Sequence, residues 1–226
     1  MNQEPYEPDM RRLPAAISGI TQQKRNKSRY SIFIDGEFFA GISEATLNRF
    51  ELKEGVEMTP SLYKDIREVE DLQGVRDYLF RILARRDHSR KELFTKARRK
   101  EYDTGKINLI LDDFEQKEYI DDRDFARKFA RDKANLNRWG PQKIRASLFK
   151  KGVSGADADR AIASAFEEEN MKLIYSDLVL KQKRRFLRES DPVKRKKKVF
   201  DYLQRKGYRP GDIMRYIDEL MESLQA

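Results

Sequence analysis

No cysteine occurs among the 226 residues. A disulfide framework, a zinc–thiolate centre and a cysteine nucleophile are therefore excluded. Histidine occurs once, at His88, which excludes the usual multi-histidine metal sites. No apolar run approaches the ~20 residues that a membrane-spanning helix needs. The N-terminus lacks the basic-then-apolar order of a secretion signal. No Gly-x-x-x-x-Gly-Lys-Ser/Thr loop is present, so nothing points to nucleotide hydrolysis. The expectation is a soluble, cytoplasmic, monomeric chain with no cofactor, no metal and no membrane partner.

What the chain has in plenty is charge. Charged residues make up 38% and apolar residues 38%, against roughly 25% and 45–50% in an average globular chain. The core must be modest or divided among small units. Aromatics at 11% still argue against disorder. The net charge is +9, and its distribution is uneven. Residues 171–210 hold 14 Lys or Arg against Asp177, Glu189, Asp191 and Asp201, a local +10. The surplus centres on Lys181, Lys183, Arg184, Arg185 and Arg188, and on Lys194, Arg195, Lys196, Lys197 and Lys198. Leu180, Phe186, Val199 and Leu203 are interspersed, so both clusters are expected on helices. There the pairs Lys181/Arg185 and Arg184/Arg188 share a face at i, i+4. Lysine or arginine set on phosphates releases counterions, and such clusters are candidate anion contacts. Solvated helix faces look the same.

Residues 1–19 combine Pro5, Pro8 and Pro14 with acidic residues and no periodicity, and a disordered tail is expected. Residues 20–58 read as a small α+β unit. Tyr30, Ile32 and Ile34 alternate, and Asp35-Gly36 is a hairpin signal before Glu37–Gly41. Ser43 is placed to cap a short helix through Phe50. Thr59-Pro60 then starts a connecting helix over 59–70.

The rest repeats. Leu93, Ala97, Tyr102, Ile107, Leu111 and Phe114 have the same spacing as Ile144, Leu148, Val153, Ala158, Ile162 and Ala165. The set Val199, Leu203, Tyr208, Ile213, Ile217 and Leu220 repeats it again. Each set describes a helix, a turn and a second helix, with a leading helix before it. Three three-helix repeats are predicted, over 71–120, 121–170 and 171–226. The offsets between sets are 51 and 55 residues, which implies a helix about one turn longer in the third repeat. Ser89 and Glu92 form a capping box, and Pro141 and Pro192 start the corresponding helices. Gly152 and Gly207 supply the left-handed turn that follows.

Arg81, Arg85, Arg86 and Arg90 form a further basic patch, where cations also suit a helix C-terminus. Trp139, flanked by Arg138, is placed to pack over a helix junction or to meet a base or partner. His88 fits a turn residue. Asp112-Asp113 and Asp121-Asp122 fit helix surface and caps better than a magnesium site. No nucleophile–base constellation is legible, and an enzyme is not expected.

Several of these residues carry a family likeness. Arg85–Leu93, Tyr119–Ala126 and Gly140–Arg145, followed by Leu148 and Lys151-Gly152-Val153, resemble the three signatures of the RecX family. Residues 20–224 share the likeness. It implies a mainly α fold, three tandem three-helix repeats in a curved elongated array behind an N-terminal α+β unit. It further implies a non-enzymatic regulator that binds the RecA filament on DNA, most readily single-stranded DNA, and restrains its ATPase, strand exchange and co-protease activity in recombination and repair. The candidate contacts are then the basic residues above with Arg138, Trp139, Lys143 and Arg145. Glu101 and Glu118 stand where many relatives have glycine, and altered turns are expected there. The competing reading is a direct nucleic-acid-binding protein of helix-turn-helix type that acts without RecA.

Overall fold

Residues 8–166 and 171–225 are described by a computed structural model. They fall into two units, one of residues up to 82 with 97–110, the other of 83–96 with 111 onward.

The first unit begins with four antiparallel strands: β1 (Ala15–Gln22), β2 (Arg29–Ile34), β3 (Glu37–Ser43) and β4 (Glu57–Met58). Their order is β3-β2-β1-β4. Asp35 and Gly36 close the β2–β3 hairpin at φ 52° and 76°, the left-handed pair that a two-residue turn requires. Ser43 caps α1 (Glu44–Arg49) by accepting from the Thr46 amide at 3.1 Å. Ile17, Ile32, Ile34, Phe39, Ile42 and Met58 form the core of this unit with Tyr63 and Ile66.

Two boundaries differ from expectation. Residues 15–19, expected in a disordered tail, are the first half of β1. Ile17 is 2% exposed and pairs with Ile34. A bulge between Ile17 and Gly19 breaks the alternation that marks a strand. Of the same tail, Met10–Arg12 form a 3-10 turn, and residues 1–7 lie outside the described residues. Further on, the connecting helix does not end at residue 70. It continues into the leading helix of the first repeat as α2 (Pro60–Leu83). No proline interrupts it, and Gly74 alone costs only about 1 kcal/mol. Glu70 ties α2 to the sheet. Its carboxylate accepts from the Ser43 amide at 2.8 Å and the Thr46 hydroxyl at 2.5 Å, and pairs with Arg29 at 3.1 Å. Burial pushes this carboxyl up, and those hydrogen bonds with the Arg29 charge outweigh it and hold it low.

Nine helices follow among the described residues. The first repeat has α3 (Arg90–Arg98) and α4 (Thr104–Gln116), the second α5 (Asp122–Asn135), α6 (Pro141–Lys150) and α7 (Gly155–Phe166). The third has α8 (Met171–Leu180), α9 (Lys183–Leu187), α10 (Pro192–Lys206) and α11 (Pro210–Gln225). All members of the three predicted apolar sets are buried except Tyr102 and Ala165, which are partly buried. Leu93, Ile144 and Val199 are each 0% exposed, as are Ala97, Leu148 and Leu203. Burying an aliphatic side chain of this size contributes about 1.5–3 kcal/mol, so each set anchors its repeat. The longer helix is α10, with 15 residues against 10 in α6. Since Val199 matches Ile144, the extra turn sits at the start of α10, within the lysine run. The leading helix of this repeat is not continuous, because a turn at Lys181-Gln182 separates α8 from α9. Lys181 and Arg185 therefore do not share one helix face, as i, i+4 spacing implies.

The turns at Glu101 and Glu118 are not altered. Both residues hold the left-handed conformation, at φ 64° and 57°. After α3, the Glu101 amide donates to the Arg98 carbonyl at 3.0 Å and the Tyr102 amide to the Ala97 carbonyl at 3.4 Å. The same pair of bonds closes α6 at Gly152-Val153 and α10 at Gly207-Tyr208. Glutamate carries the glycine geometry at the cost of some strain.

Candidate functional site

In the third repeat the α8–α9 turn and the start of α10 carry the basic clusters. Asp191 caps α10, accepting from the Val193 and Lys194 amides at 2.8 and 3.3 Å, and Pro192 occupies the first turn. No acidic residue follows in that turn. Lys194 and Arg195 instead stand at the positive end of the helix dipole, where cations cost stability. Part of the run is neutralised. Lys196 pairs with Asp218 and Lys198 with Glu189, both at 2.5 Å, and Lys181 pairs with Asp177 at 2.8 Å. Arg195 spans to the Glu189 carbonyl at 2.7 and 2.9 Å, which fixes the entry to α10.

The remainder is exposed. Among the described residues, Arg184, Arg185, Arg188, Lys194 and Lys197 pair with no carboxylate in reach of an ion pair. Arg184, Arg185 and Arg188 line an open depression of about 650 Å³ with Lys183, Leu180 and Leu187. A second depression, of about 280 Å³, brings Arg185 together with Lys198, Asp201 and Arg205. The two clusters thus meet on one side of the third repeat, held by the edge-to-face contact of Phe186 on Tyr202 at 5.7 Å.

The other candidates separate. Arg90 is taken up by Asp112 and Glu115, each at 2.6 Å, and Arg86 by Glu92 at 3.2 Å. Arg145 is paired with Asp159 at 2.5 Å. These three are ion-paired within the fold, with Arg86 still exposed and Arg145 partly so. Arg81 and Arg85 are exposed. Asp121 caps α5, and Asp122 accepts from the Arg90 amide at 2.8 Å. His88 is buried, with Nδ1 against the Arg86 carbonyl at 2.9 Å, and burial lowers its basicity. No group of His, Asp and Glu among the described residues is arranged to hold a metal ion. No helix among them is long and apolar enough to cross a membrane.

Trp139 packs on the second repeat's core. Its ring is covered by ammonium groups, Lys143 Nζ at 4.5 Å and Lys133 Nζ at 5.3 Å from the centroid. It marks one of two equivalent junctions. In the first, Ser89 at the start of α3 donates to the Lys151 carbonyl at 2.6 Å, and Gly152 lies on Lys91. In the second, the Gly140 amide at the start of α6 donates to the Lys206 carbonyl at 2.8 Å, and Gly207 lies on Lys143. The start of one repeat's middle helix thus docks on the turn that ends the next repeat's middle helix. A Cβ on Gly140 would meet the Gly207 backbone, and a Cβ on Gly207 the Lys143 backbone, closer than 3.0 Å. Glycine is required at both.

The side chains over the two junctions differ. At the first, Lys151 pairs with Glu92 at 2.5 Å and stands over the rings of Phe125 and Phe129. Burial pushes the Glu92 carboxyl up, and the hydrogen bonds from Lys151 and Arg86 override it, holding the group at about 2. At the second, the equivalent positions are Lys143 and Lys206. Burial pushes the Lys206 ammonium down, and the Lys143 charge adds to that. Its hydrogen bond goes to the Asn137 carbonyl at 3.2 Å. Lys206, Lys133 and Arg205 escaped the sequence reading. The repeat offsets set Lys206 against Lys151 and Lys143 against Glu92, and that was the signal.

Family descriptions match this organisation in order. "Regulatory protein RecX N-terminal domain" matches residues 15–59, and the first, second and third three-helix domains of RecX match 76–114, 121–162 and 176–217. The regulatory protein RecX of Clostridium beijerinckii is 29% identical over 208 residues, covering 92% of this chain and 96% of that protein. That of Clostridium botulinum (strain Alaska E43) is 32% identical over 214 residues, covering 92% and 97%. A crystal structure of a regulatory protein RecX superposes with a TM-score of 0.72 at 26% identity, over 90% of this chain and 99% of the other. RecX from Lactobacillus salivarius, at 20% identity and a TM-score of 0.58 over 70% of this chain and 98% of that one, shares the fold. With its α+β unit and all three repeats matched in sequence order, the chain belongs to the RecX family of regulatory proteins.

Proposed function

We propose that this chain regulates the RecA recombinase by binding its filament on single-stranded DNA and restraining ATP hydrolysis, strand exchange and co-protease activity, with no catalysis of its own. The observation that carries the reading is the unneutralised basic side of the third repeat. Arg184, Arg185 and Arg188 line its open depression without an ion-paired carboxylate among the described residues, and Lys194 stands on the first turn of α10, whose dipole disfavours it. Charge kept where it costs stability is matched to an anionic partner. A filament offers such partners repeatedly, and three tandem repeats can engage it at several points. Each weak contact then gains from effective concentration.

The test is RecA ATPase on single-stranded DNA under titration with this protein, beside a DNA-binding control without RecA. The expected result is a fall in ATPase below the protein concentration that coats free DNA. Alanine at Arg184, Arg185, Arg188, Lys194 and Lys197 together should raise the concentration needed by about tenfold or more, since several cations that would meet phosphates are removed. An unchanged ATPase, with tight DNA binding and sequence-selective footprints, would transfer the case to a helix-turn-helix protein acting without RecA.

A further inference from the structure

We propose that the junction between the second and third repeats is a binding site for a backbone phosphate of single-stranded nucleic acid, held between Lys143 and Lys206 beside Trp139. The inference deepens the reading above, on which its biological role rests, by assigning a specific site to the nucleic acid.

The two junctions serve as each other's control. In each, a helix start is bonded to the carbonyl before a left-handed glycine: the Ser89 hydroxyl to the Lys151 carbonyl beside Gly152 in one, the Gly140 amide to the Lys206 carbonyl beside Gly207 in the other. In the first, a carboxylate completes the electrostatics, Glu92 on Lys151. In the second, Lys143 replaces that carboxylate, and among the described residues no acid pairs with Lys143 or Lys206. Lys143 and Lys133 stand over the Trp139 indole and Lys206 donates to the Asn137 carbonyl, three ammonium groups at the junction whose counterpart holds Glu92. Like charges brought together in partly desolvated positions are unfavourable unless an anion joins them. The lowered basicity of Lys206 is the same cost seen from the proton's side.

The chemistry of the anion follows from the donors. The helix-start amides are already used, since Gly140 and Gln142 donate to the Lys206 and Gly207 carbonyls at 2.8 and 3.0 Å. What remains is ammonium groups, compact point charges suited to a phosphate oxyanion, whereas planar carboxylates are better matched by the arginine fork. The indole face is occupied by Lys143 and Lys133, so no base stacks on it. Recognition is therefore of backbone and independent of sequence. The phosphate would also join the second repeat to the third, because Lys143 comes from one and Lys206 from the other.

Trp139 is the only tryptophan, so its emission reports on this site. The experiment titrates the full chain with a single-stranded oligothymidylate, with inorganic phosphate and with polyglutamate, following Trp139 emission and affinity against salt. Lys143→Glu is the informative variant, because it installs the Glu92–Lys151 arrangement at the second junction. Expected for the wild type is a shift in emission with oligothymidylate. Expected for Lys143→Glu is a thermal midpoint equal to or above the wild type's, loss of the emission change and at least about a fivefold fall in oligothymidylate affinity at ~0.1 M salt. The slope of log K on log salt should become shallower by ~0.7 for each phosphate that the variant no longer neutralises. Unchanged affinity and slope in a folded Lys143→Glu would overturn the proposal. If that variant does not fold, Lys143→Gln with Lys206→Gln reads the same slope. A response to inorganic phosphate alone would overturn the assignment to nucleic acid, as would polyglutamate binding as tightly as oligothymidylate at equal charge. RecA ATPase followed in parallel separates the two readings. Weakened oligothymidylate binding with an unchanged ATPase response supports the site and counts against the filament role. The reverse pattern overturns the site and leaves the filament role standing.

Discussion

The first repeat junction closes on an ion pair and the second on two lysines, although at both a helix start meets a left-handed glycine turn. At the first, Glu92 accepts from Lys151 and Arg86 while its neighbour Ser89 bonds the Lys151 carbonyl. At the second, the Gly140 and Gln142 amides bond the Lys206 and Gly207 carbonyls instead, and Lys143 stands where the first junction has Glu92. Shape is thus set by glycine, caps and buried aliphatics, and charge is left free to vary. A repeat array can keep its architecture while one of its interfaces turns from self-satisfied to anion-seeking.

The largest expected difference lies in the glycines. Gly207 holds φ 98°, and a Cβ there meets the Lys143 backbone amide nitrogen at 2.6 Å. Gly207→Ala combines left-handed strain with a backbone clash and should cost about 3 kcal/mol or more. Gly152, at φ 90°, faces the Lys91 side chain, with Cβ at 2.7 Å. Gly152→Ala should cost about 2 kcal/mol, since a side chain gives way more readily than backbone. Urea denaturation midpoints measure both. Equal losses would mean that the two junctions are equally yielding and that backbone proximity does not distinguish them.

The charge difference is reached through Lys151→Met, which keeps apolar contact with Phe125 and Phe129 and removes the ammonium. The expected loss is about 1.5–3 kcal/mol at neutral pH, the range for a hydrogen bond to a charged group. Glu92 is held at about 2, below its ordinary 4.5. A carboxyl depressed on folding stabilises above its unfolded pKa and loses that contribution as pH falls through the folded one. The contribution is at most about 3 kcal/mol, present above pH 4.5 and lost between 4.5 and 2. The variant should therefore show a flatter acid limb in that window. An unchanged limb would mean that Arg86 alone holds Glu92, and that the two junctions differ less than their charges suggest.

The apolar framework of the repeats was legible because it depends on spacing alone. Leu93, Ile144 and Val199 are buried where the period puts them, and the 55-residue offset correctly places an extra turn in α10. The Asp35-Gly36 hairpin, the Ser43 cap and the Pro192 helix start were legible for a similar reason, since each is local chemistry. β1 was obscured because a bulge disturbs its alternation, and the break before α9 because neither proline nor glycine marks it. For the site, sequence supplied the cations but not their partners. Arg90 and Lys196 look as free as Arg184 until Asp112 and Asp218, more than twenty residues away, are brought to them. Lys206 was missed because it lies outside any dense run, and only comparison between repeats makes it stand out.

The smallest effect tests whether the repeats truly share one turn. Glu101 stands at the position of Gly152 and Gly207 and adopts their left-handed backbone, at φ 64°. It is exposed at the surface, so its side chain offers little packing to offset the strain. A non-glycine residue in this region costs roughly 1–2 kcal/mol. Glycine recovers that, less the roughly 0.4–1 kcal/mol of extra freedom it gives the unfolded chain. Glu101→Gly should therefore stabilise by about 0.5 kcal/mol, raising the thermal midpoint by about 1–2 °C for a chain of this size. It is the one substitution toward glycine in these turns expected to help, because the equivalent turns in the second and third repeats already have it. A lowered midpoint would show that the Glu101 side chain holds the end of α3 in a way that glycine does not, and that the first turn is distinct in chemistry as well as in sequence.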